Sequence, residues 1–226
     1  MNKNLKQCIP QCLKSLWYFF CFWKDIRCHY CKRLLDDNEN NTIFCLRCLS
    51  QIGYLSISFH KNKFPIYALG RYDGIIRFIV TEKYRKQSFC YYGITEKIID
   101  LYNLYTISFD IIVPLPKKFF NFIYQKQNQS YIIANIISRY FKKDIFNSLF
   151  YTTTITKSQS GKTTEARSQL SKNTFFVPHS CISQLTNKTI LIVDDVYTTG
   201  STIDAVITIL TSCQVKKIII FVIAKK

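Results

Sequence analysis

The sequence predicts an α/β fold, a parallel sheet flanked by helices, behind a small cysteine-rich N-terminal module. Three observations predict it. Thr189 to Val193 (TILIV) and Ile218 to Ala224 (IIIFVIA) are continuous apolar runs, the pattern of strands buried on both faces. A helix is expected between them, from Ser201 to Cys213, which completes the strand–loop–helix–strand unit of a parallel sheet. Ahead of this region, seven of the ten cysteines fall before residue 50, four of them in two short pairs.

Length and composition fit that architecture. A chain of 226 residues with 48% apolar and 15% aromatic residues can bury a sizeable core, which excludes a disordered chain. Six glycines and five prolines exclude collagen-like and linker-rich chains. The formal charge of +17 favours a polyanionic partner: nucleic acid, a phosphorylated metabolite or an anionic membrane. The excess is spread along the chain with no basic tail, and an AT-rich coding bias toward Lys, Asn, Ile, Phe and Tyr accounts for part of it.

The chain divides into residues 1–60, an N-terminal helix and metal-binding module, and residues 61–226, the α/β domain. The first apolar run, Leu16 to Trp23, has eight residues, against the roughly 20 that span a bilayer. No small-residue cleavage site follows it, so a packed or amphipathic helix is expected rather than an export signal or a transmembrane segment. A membrane-surface contact through Trp17, Phe20 and Trp23 is the alternative.

Cys28-His29-Tyr30-Cys31 and Cys45-Leu46-Arg47-Cys48 are separated by thirteen residues. Each short turn lets two sulfurs converge, and two such turns complete a tetrahedron, so Cys28, Cys31, Cys45 and Cys48 are expected to hold structural Zn²⁺ as a zinc ribbon does. The alternatives are a redox pair or disulfides, with His29, Cys8, Cys12 or Cys21 as substitute ligands. Four zinc-bound thiolates imply a reducing compartment, hence the cytoplasm. Cys90, Cys181 and Cys213 are isolated and expected to be buried apolar residues.

Asp36 to Thr42 is a polar loop between the cysteine pairs, and Gln51 to Lys63 reads as a connector. Ile66 to Leu69 is a strand candidate, and Ile75, Ile76, Ile79 and Val80 have helical spacing. Ile94 to Leu101 suggests a second helix. Phe109 to Val113 is a short buried strand stopped by Pro114 and Pro116, and Ile132, Ile133, Ile136 and Ile137 form a helix stripe. Tyr151 to Asn173 is a long polar loop, a length usually functional or disordered.

Two carboxylates, Asp194 and Asp195, follow the TILIV strand at the edge where open α/β sheets bind ligands. Thr198, Thr199, Gly200, Ser201 and Thr202 come next. Small hydroxyl residues and a glycine at a helix start expose N–H and O–H donors that hold a phosphate. The acids can accept hydrogen bonds from two ribose hydroxyls while the loop holds the 5′-phosphate, so the pattern suits a phosphorylated sugar. A plain helix cap would not need two acids after five apolar residues. A P-loop hydrolase is excluded, because Gly161-Lys162-Thr163 lacks the upstream glycine, position 156 being Thr.

Ile190 to Thr202 resembles the loop for phosphoribosyl pyrophosphate (PRPP) in type I phosphoribosyltransferases, and with the double Cys-x-x-Cys module the chain resembles the ComF/GntX family of competence proteins. The likeness runs from about Cys28 to the C-terminus. Tyr72-Asp73-Gly74 resembles the family's entry to the transferase domain and Lys83-Tyr84-Arg85 its basic segment. Val113-Pro114-Leu115-Pro116 with Lys117 and Lys118 resembles its pyrophosphate-side loop, where a solvated basic turn is the alternative. Asn128-Gln129 resembles the end of an Arg-Gly-Phe-Asn-Gln signature, and Gln159, Glu165 and Arg167 resemble positions of a flexible loop that closes over substrate. Gln125-Lys126-Gln127 stands where Arg-Gly-Phe is usual, Leu170 where an asparagine is expected, and Tyr197 where the residue is usually aliphatic. The lost arginine weakens bidentate contact to a diphosphate.

The resemblance implies a type I phosphoribosyltransferase-like sheet and a reaction at ribose C1. Asp194 and Asp195 hold the ribose, Thr198 to Thr202 anchor the 5′-phosphate, Lys117 and Lys118 face the pyrophosphate, and Mg²⁺ accompanies PRPP. It further implies a role in uptake of transforming DNA, with single-stranded DNA and competence-machinery proteins as partners. A soluble phosphoribosyltransferase of nucleotide metabolism is the alternative, and a scaffold with a degenerate transferase domain is the third reading.

Overall fold

The computed structural model describes residues 27–36, 39, 43–52, 56–61, 63–82, 89–116, 128–151 and 175–226. In chain order its elements are α1 (Leu46–Leu49), β1 (Ser56–His60), β2 (Phe64–Arg71), α2 (Gly74–Glu82), α3 (Phe89–Tyr92), α4 (Thr95–Leu104), β3 (Ile111–Pro114), α5 (Gln129–Phe141), β4 (Asp144–Ile145), β5 (Phe150–Tyr151), β6 (Phe175–Phe176), a 3-10 helix (His179–Gln184), β7 (Thr189–Tyr197), α6 (Ser201–Ser212) and β8 (Lys217–Lys225). The predicted helix at Leu16 to Trp23 and the predicted loop after Tyr151, as far as Asn173, lie outside the described residues.

The main sheet has the order β1-β2-β8-β7-β3-β4. Its five strands from β2 to β4 run parallel, and β1 joins the β2 edge antiparallel. The apolar runs are continuous because both faces are covered. Leu191, Val193, Ile219, Phe221 and Ile223 pack with α2 to α5 on one face. Ile190, Ile192, Ile218, Ile220 and Val222 pack against α6 on the other. β7 and β8 thus carry no solvated face, which is why they read as unbroken Ile/Leu/Val runs.

The cysteine turns share the first of these clusters. Cys28, Phe44, Cys45 and Cys48 are buried with Ile75, Ile79 and Ile98. Tyr30 and Phe44 meet the α2 residue Phe78 edge-on, with ring centroids 5.4 and 6.3 Å apart.

Two differences from the sequence reading bear on the site. Within the expected connector, Ser56 to His60 pairs with Phe64 to Ala68 as an edge strand. β7 continues beyond Val193 to Tyr197, because Asp194, Val196 and Tyr197 still pair with Val222, Ala224 and Lys225 of β8. The two acids therefore belong to the strand, beyond the point where β3 ends opposite Val193. Cys90 and Cys213 are buried as expected, whereas Cys181, on the 3-10 helix, is partly exposed. Among the described residues no helix is long and apolar enough to cross a membrane.

Candidate functional site

From β3 the chain passes through α5 to β4 on one side, and then returns to β7 on the other, from which α6 leads to β8. The connections diverge between β3 and β7, so the crevice beyond these two carboxyl ends is a topological switch point, the place where such sheets bind ligands. Two helix starts face it from opposite sheet faces. Asn128 caps α5, accepting from the Ser130 amide at 3.2 Å and donating to the carbonyl of Leu115 at 2.9 Å, which ties the helix start to the end of β3. Ser130 donates its hydroxyl to Asp194 Oδ1 at 3.0 Å, and the Asp195 amide donates to the same oxygen at 2.8 Å.

The Asp194 carboxyl is perturbed. Burial, reinforced by the neighbouring Asp195 charge, pushes it up to about 7 against the opposing hydrogen bonds from the Asp195 amide and Ser130. A carboxyl raised by burial beside a second acid differs from one in a solvated surface turn, whose charge water would stabilise.

The loop after β7 exposes Thr198, Thr199, Ser201 and Thr202 around a buried Gly200. Gly200 is the N-cap of α6 with φ +78°, so it offers no side chain to satisfy the first helical amides. Those amides and the positive end of the helix dipole are available to an anion. The glycine is required twice over. The backbone is left-handed, and an added Cβ would lie 2.7 Å from the Tyr197 hydroxyl and 2.8 Å from His60 Cε1. The structure thus brings Asp194, Asp195 and Thr198 to Thr202 to one crevice. Lys117 and Lys118, and Gln159, Glu165 and Arg167, lie outside the described residues, as do Lys83 to Arg85, Gln125 to Gln127 and Leu170.

Sequence reading missed the supports of this site. Ser130 stands beside the Asn128-Gln129 pair, and its place at a helix start two residues after a capping asparagine was the available signal. His60 contacts Tyr197 and Asp204 across 137 and 144 positions of chain, which no local pattern announces.

The second cluster is the set of four cysteines in the N-terminal module. The ligand atoms of Cys28, Cys31, Cys45 and Cys48 all lie within 4.8 Å of one another. Cys31 Sγ and Cys45 Sγ are 3.7 Å apart. A zinc–sulfur bond of about 2.3 Å places tetrahedral sulfurs about 3.8 Å apart, so the spacing fits structural zinc. Burial opposes ionisation of Cys45, but the Cys48 amide, the Cys48 and Cys31 thiols and Arg33 outweigh it and bring this thiol down to about 7. Burial and the surrounding sulfurs push Cys48 up. Four such sulfurs can all be anionic only around a shared cation. The turns are braced by Glu39, 2% exposed, which takes both oxygens to Arg33 Nη2 at 2.9 and 2.7 Å and accepts the Leu46 amide at 2.6 Å.

A parallel sheet flanked by helices, with an acidic strand end at its switch point beside a glycine-started helix, places the protein in the doubly wound α/β class. Within that class residues 82–226 match the Phosphoribosyl transferase domain, and the chain belongs to this family. No curated protein matches it. Among solved structures it is similar to the allosteric regulatory enzyme of purine biosynthesis, at 12% identity and TM-score 0.39, over 54% of this chain and 23% of that one. It is also similar to the glutamine PRPP amidotransferase from B. subtilis complexed with ADP and GMP, at 13% identity and TM-score 0.37, over 51% and 22% of the two chains. The chain thus spans less than a quarter of the length of either structure.

Proposed function

We propose that the chain binds PRPP or a related phosphoribosyl ligand in the crevice between β3 and β7. The observation that carries this reading is the pairing of Asp194 and Asp195 on one strand end with the open amides of the Gly200 helix start. Asp195 and Asp194 accept the ribose hydroxyls. Thr198 to Thr202 take the 5′-phosphate through N–H and O–H donors. Lys117 and Lys118 supply cationic donors that suit the pyrophosphate, and Gln159, Glu165 and Arg167 are further candidate contacts to the ligand. The two carboxylates are the hard oxygen donors that suit Mg²⁺, and Mg²⁺ bound with PRPP neutralises the diphosphate charge. Zn²⁺ in the four-cysteine cluster ties the two cysteine turns together where they pack on the α/β domain.

The finer reading is a ComF-type protein that couples this site to single-stranded DNA in DNA uptake, inside the cell. Its support is the +17 charge together with a cysteine module packed on the same domain. Membership of the transferase family supports the other reading, transfer of phosphoribose to a nitrogen nucleophile. There the C1–N bond forms as the C1–O bond breaks, pyrophosphate leaves with the electron pair, and the nucleophile sheds its proton.

Calorimetry with Mg²⁺ and PRPP, with and without a single-stranded oligonucleotide, tests the first reading. Binding that vanishes in the Asp194→Asn, Asp195→Asn double variant supports the site, and unchanged affinity refutes it. Pyrophosphate release with a panel of nucleobases and amines separates turnover from binding. Salt-sensitive oligonucleotide binding without release supports the DNA role.

A further inference from the structure

One imidazole grips both flanks of the phosphate loop. Tyr197 is the last residue of β7, immediately before Thr198, and Asp204 lies in the first turn of α6. His60 Nδ1 is 2.8 Å from the Tyr197 hydroxyl, and His60 Nε2 is 2.9 Å from Asp204 Oδ1. Lys61 Nζ meets that same carboxylate oxygen at 2.7 Å. An ionised Asp204 only accepts, so Nε2 carries the proton, and in the neutral ring Nδ1 accepts from the Tyr197 O–H. Burial opposes the Asp204 charge, but Lys61 and His60 outweigh it and hold the carboxyl below its ordinary value. Burial and Asp204 push the Tyr197 hydroxyl up, which keeps it a donor.

His60 itself is 2% exposed and ends β1, and its ring forms part of the floor under Gly200. A buried imidazole with both nitrogens engaged has one orientation. The strand end before the loop and the helix turn after it are therefore fixed to one rigid plane.

We propose that His60 is a positioning residue for the phosphate loop, locking Tyr197 and Asp204 so that the amides after Gly200 stand ready for phosphate before the ligand arrives. The proposal rests on the phosphate reading of that loop. A preset array of donors loses less freedom on binding than a loop that must be ordered by its ligand, so the gain appears as affinity. Lys61 serves the same end electrostatically, because an uncompensated Asp204 would repel the phosphate. Both residues lie before residue 82, where the family match starts.

The test uses the full chain as wild type and as His60→Ala, His60→Gln and Tyr197→Phe. Ribose 5-phosphate and Mg²⁺ with PRPP are titrated calorimetrically, and amide hydrogen exchange is followed across 198–204. His60→Ala is expected to lose tenfold or more in affinity for both probes and to exchange faster in that loop. His60→Gln, whose amide still donates to Asp204, recovers part of both. Tyr197→Phe, which deletes one oxygen, falls between. Wild-type affinity and wild-type loop exchange in a folded His60→Ala protein would overturn the proposal. Should His60→Ala fail to fold, Tyr197→Phe decides in its place, a loss of threefold or more supporting the brace and none overturning it. If the wild type binds neither probe, the phosphate reading has failed. Exchange then judges the brace alone, faster loop exchange supporting it and unchanged exchange overturning it.

Discussion

Replacing Asp194 by asparagine should make the ligand-free protein more stable while removing its ligand. The amide side chain keeps an oxygen where Asp194 Oδ1 accepts from Ser130 and the Asp195 amide, so geometry is conserved and only the charge is lost. Burial and Asp195 raise the carboxyl from its ordinary 3.8 to about 7. A folded-state value above the unfolded one means that the folded protein binds more protons between these limits. The associated stability is complete below about pH 4 and is lost as pH rises through about 7. Roughly three pH units at about 1.4 kcal/mol each set the full loss near 4 kcal/mol, of which about 3 kcal/mol falls between pH 5 and pH 8. Urea unfolding of wild type and Asp194→Asn at several pH values in that interval gives the difference directly, since every other titrating group is common to both. The variant's advantage should grow by about 3 kcal/mol from pH 5 to pH 8. A pH-independent difference, or a variant less stable at pH 8, would refute the claim that the strand end stores an unwelcome charge. Such strain at a site is the usual exchange of stability for function.

Three further perturbations follow from the same geometry. Ser130→Ala removes a hydrogen bond that favours the Asp194 carboxylate, so the pH midpoint of PRPP binding should move upward, as calorimetry across pH would show. Gly200→Ala forces a Cβ onto the Tyr197 hydroxyl at a left-handed position, and about 2 kcal/mol of stability should go in urea unfolding, with phosphate affinity lost besides. Cys45→Ser should drop bound zinc from one equivalent to none by elemental analysis and lower the melting temperature, whereas full metal retention would show that other residues ligate.

The legible part of this molecule is the part whose physics is local. β7 and β8 announce themselves because strands buried on both faces need unbroken apolar residues, and Gly200 does so because a helix start at φ +78° admits little else. The cysteine turns are equally local, each bringing two sulfurs together within four residues. The apolar run stops at Val193 before the strand does, because polar side chains end such a run without ending backbone pairing, and Asp194 to Tyr197 keep their ladder with β8. β1 escaped notice because an edge strand of Ser-Ile-Ser-Phe-His needs only half its residues apolar and is short. His60 escaped because its partners are supplied by the fold: an isolated histidine in a connector carries no mark of the tyrosine and aspartate it will meet.

The pairing of β2 along β8 has a practical consequence for anyone trimming this protein. A fragment beginning at residue 82, where the family likeness begins, would discard β1 and β2 and leave β8 as the outermost ribbon. Seven consecutive apolar residues, Ile218 to Ala224, would then present bare amides and carbonyls to other molecules. Such a fragment should clump into β-rich aggregates rather than stay dispersed, because the missing hairpin is what keeps that stretch from recruiting copies of itself.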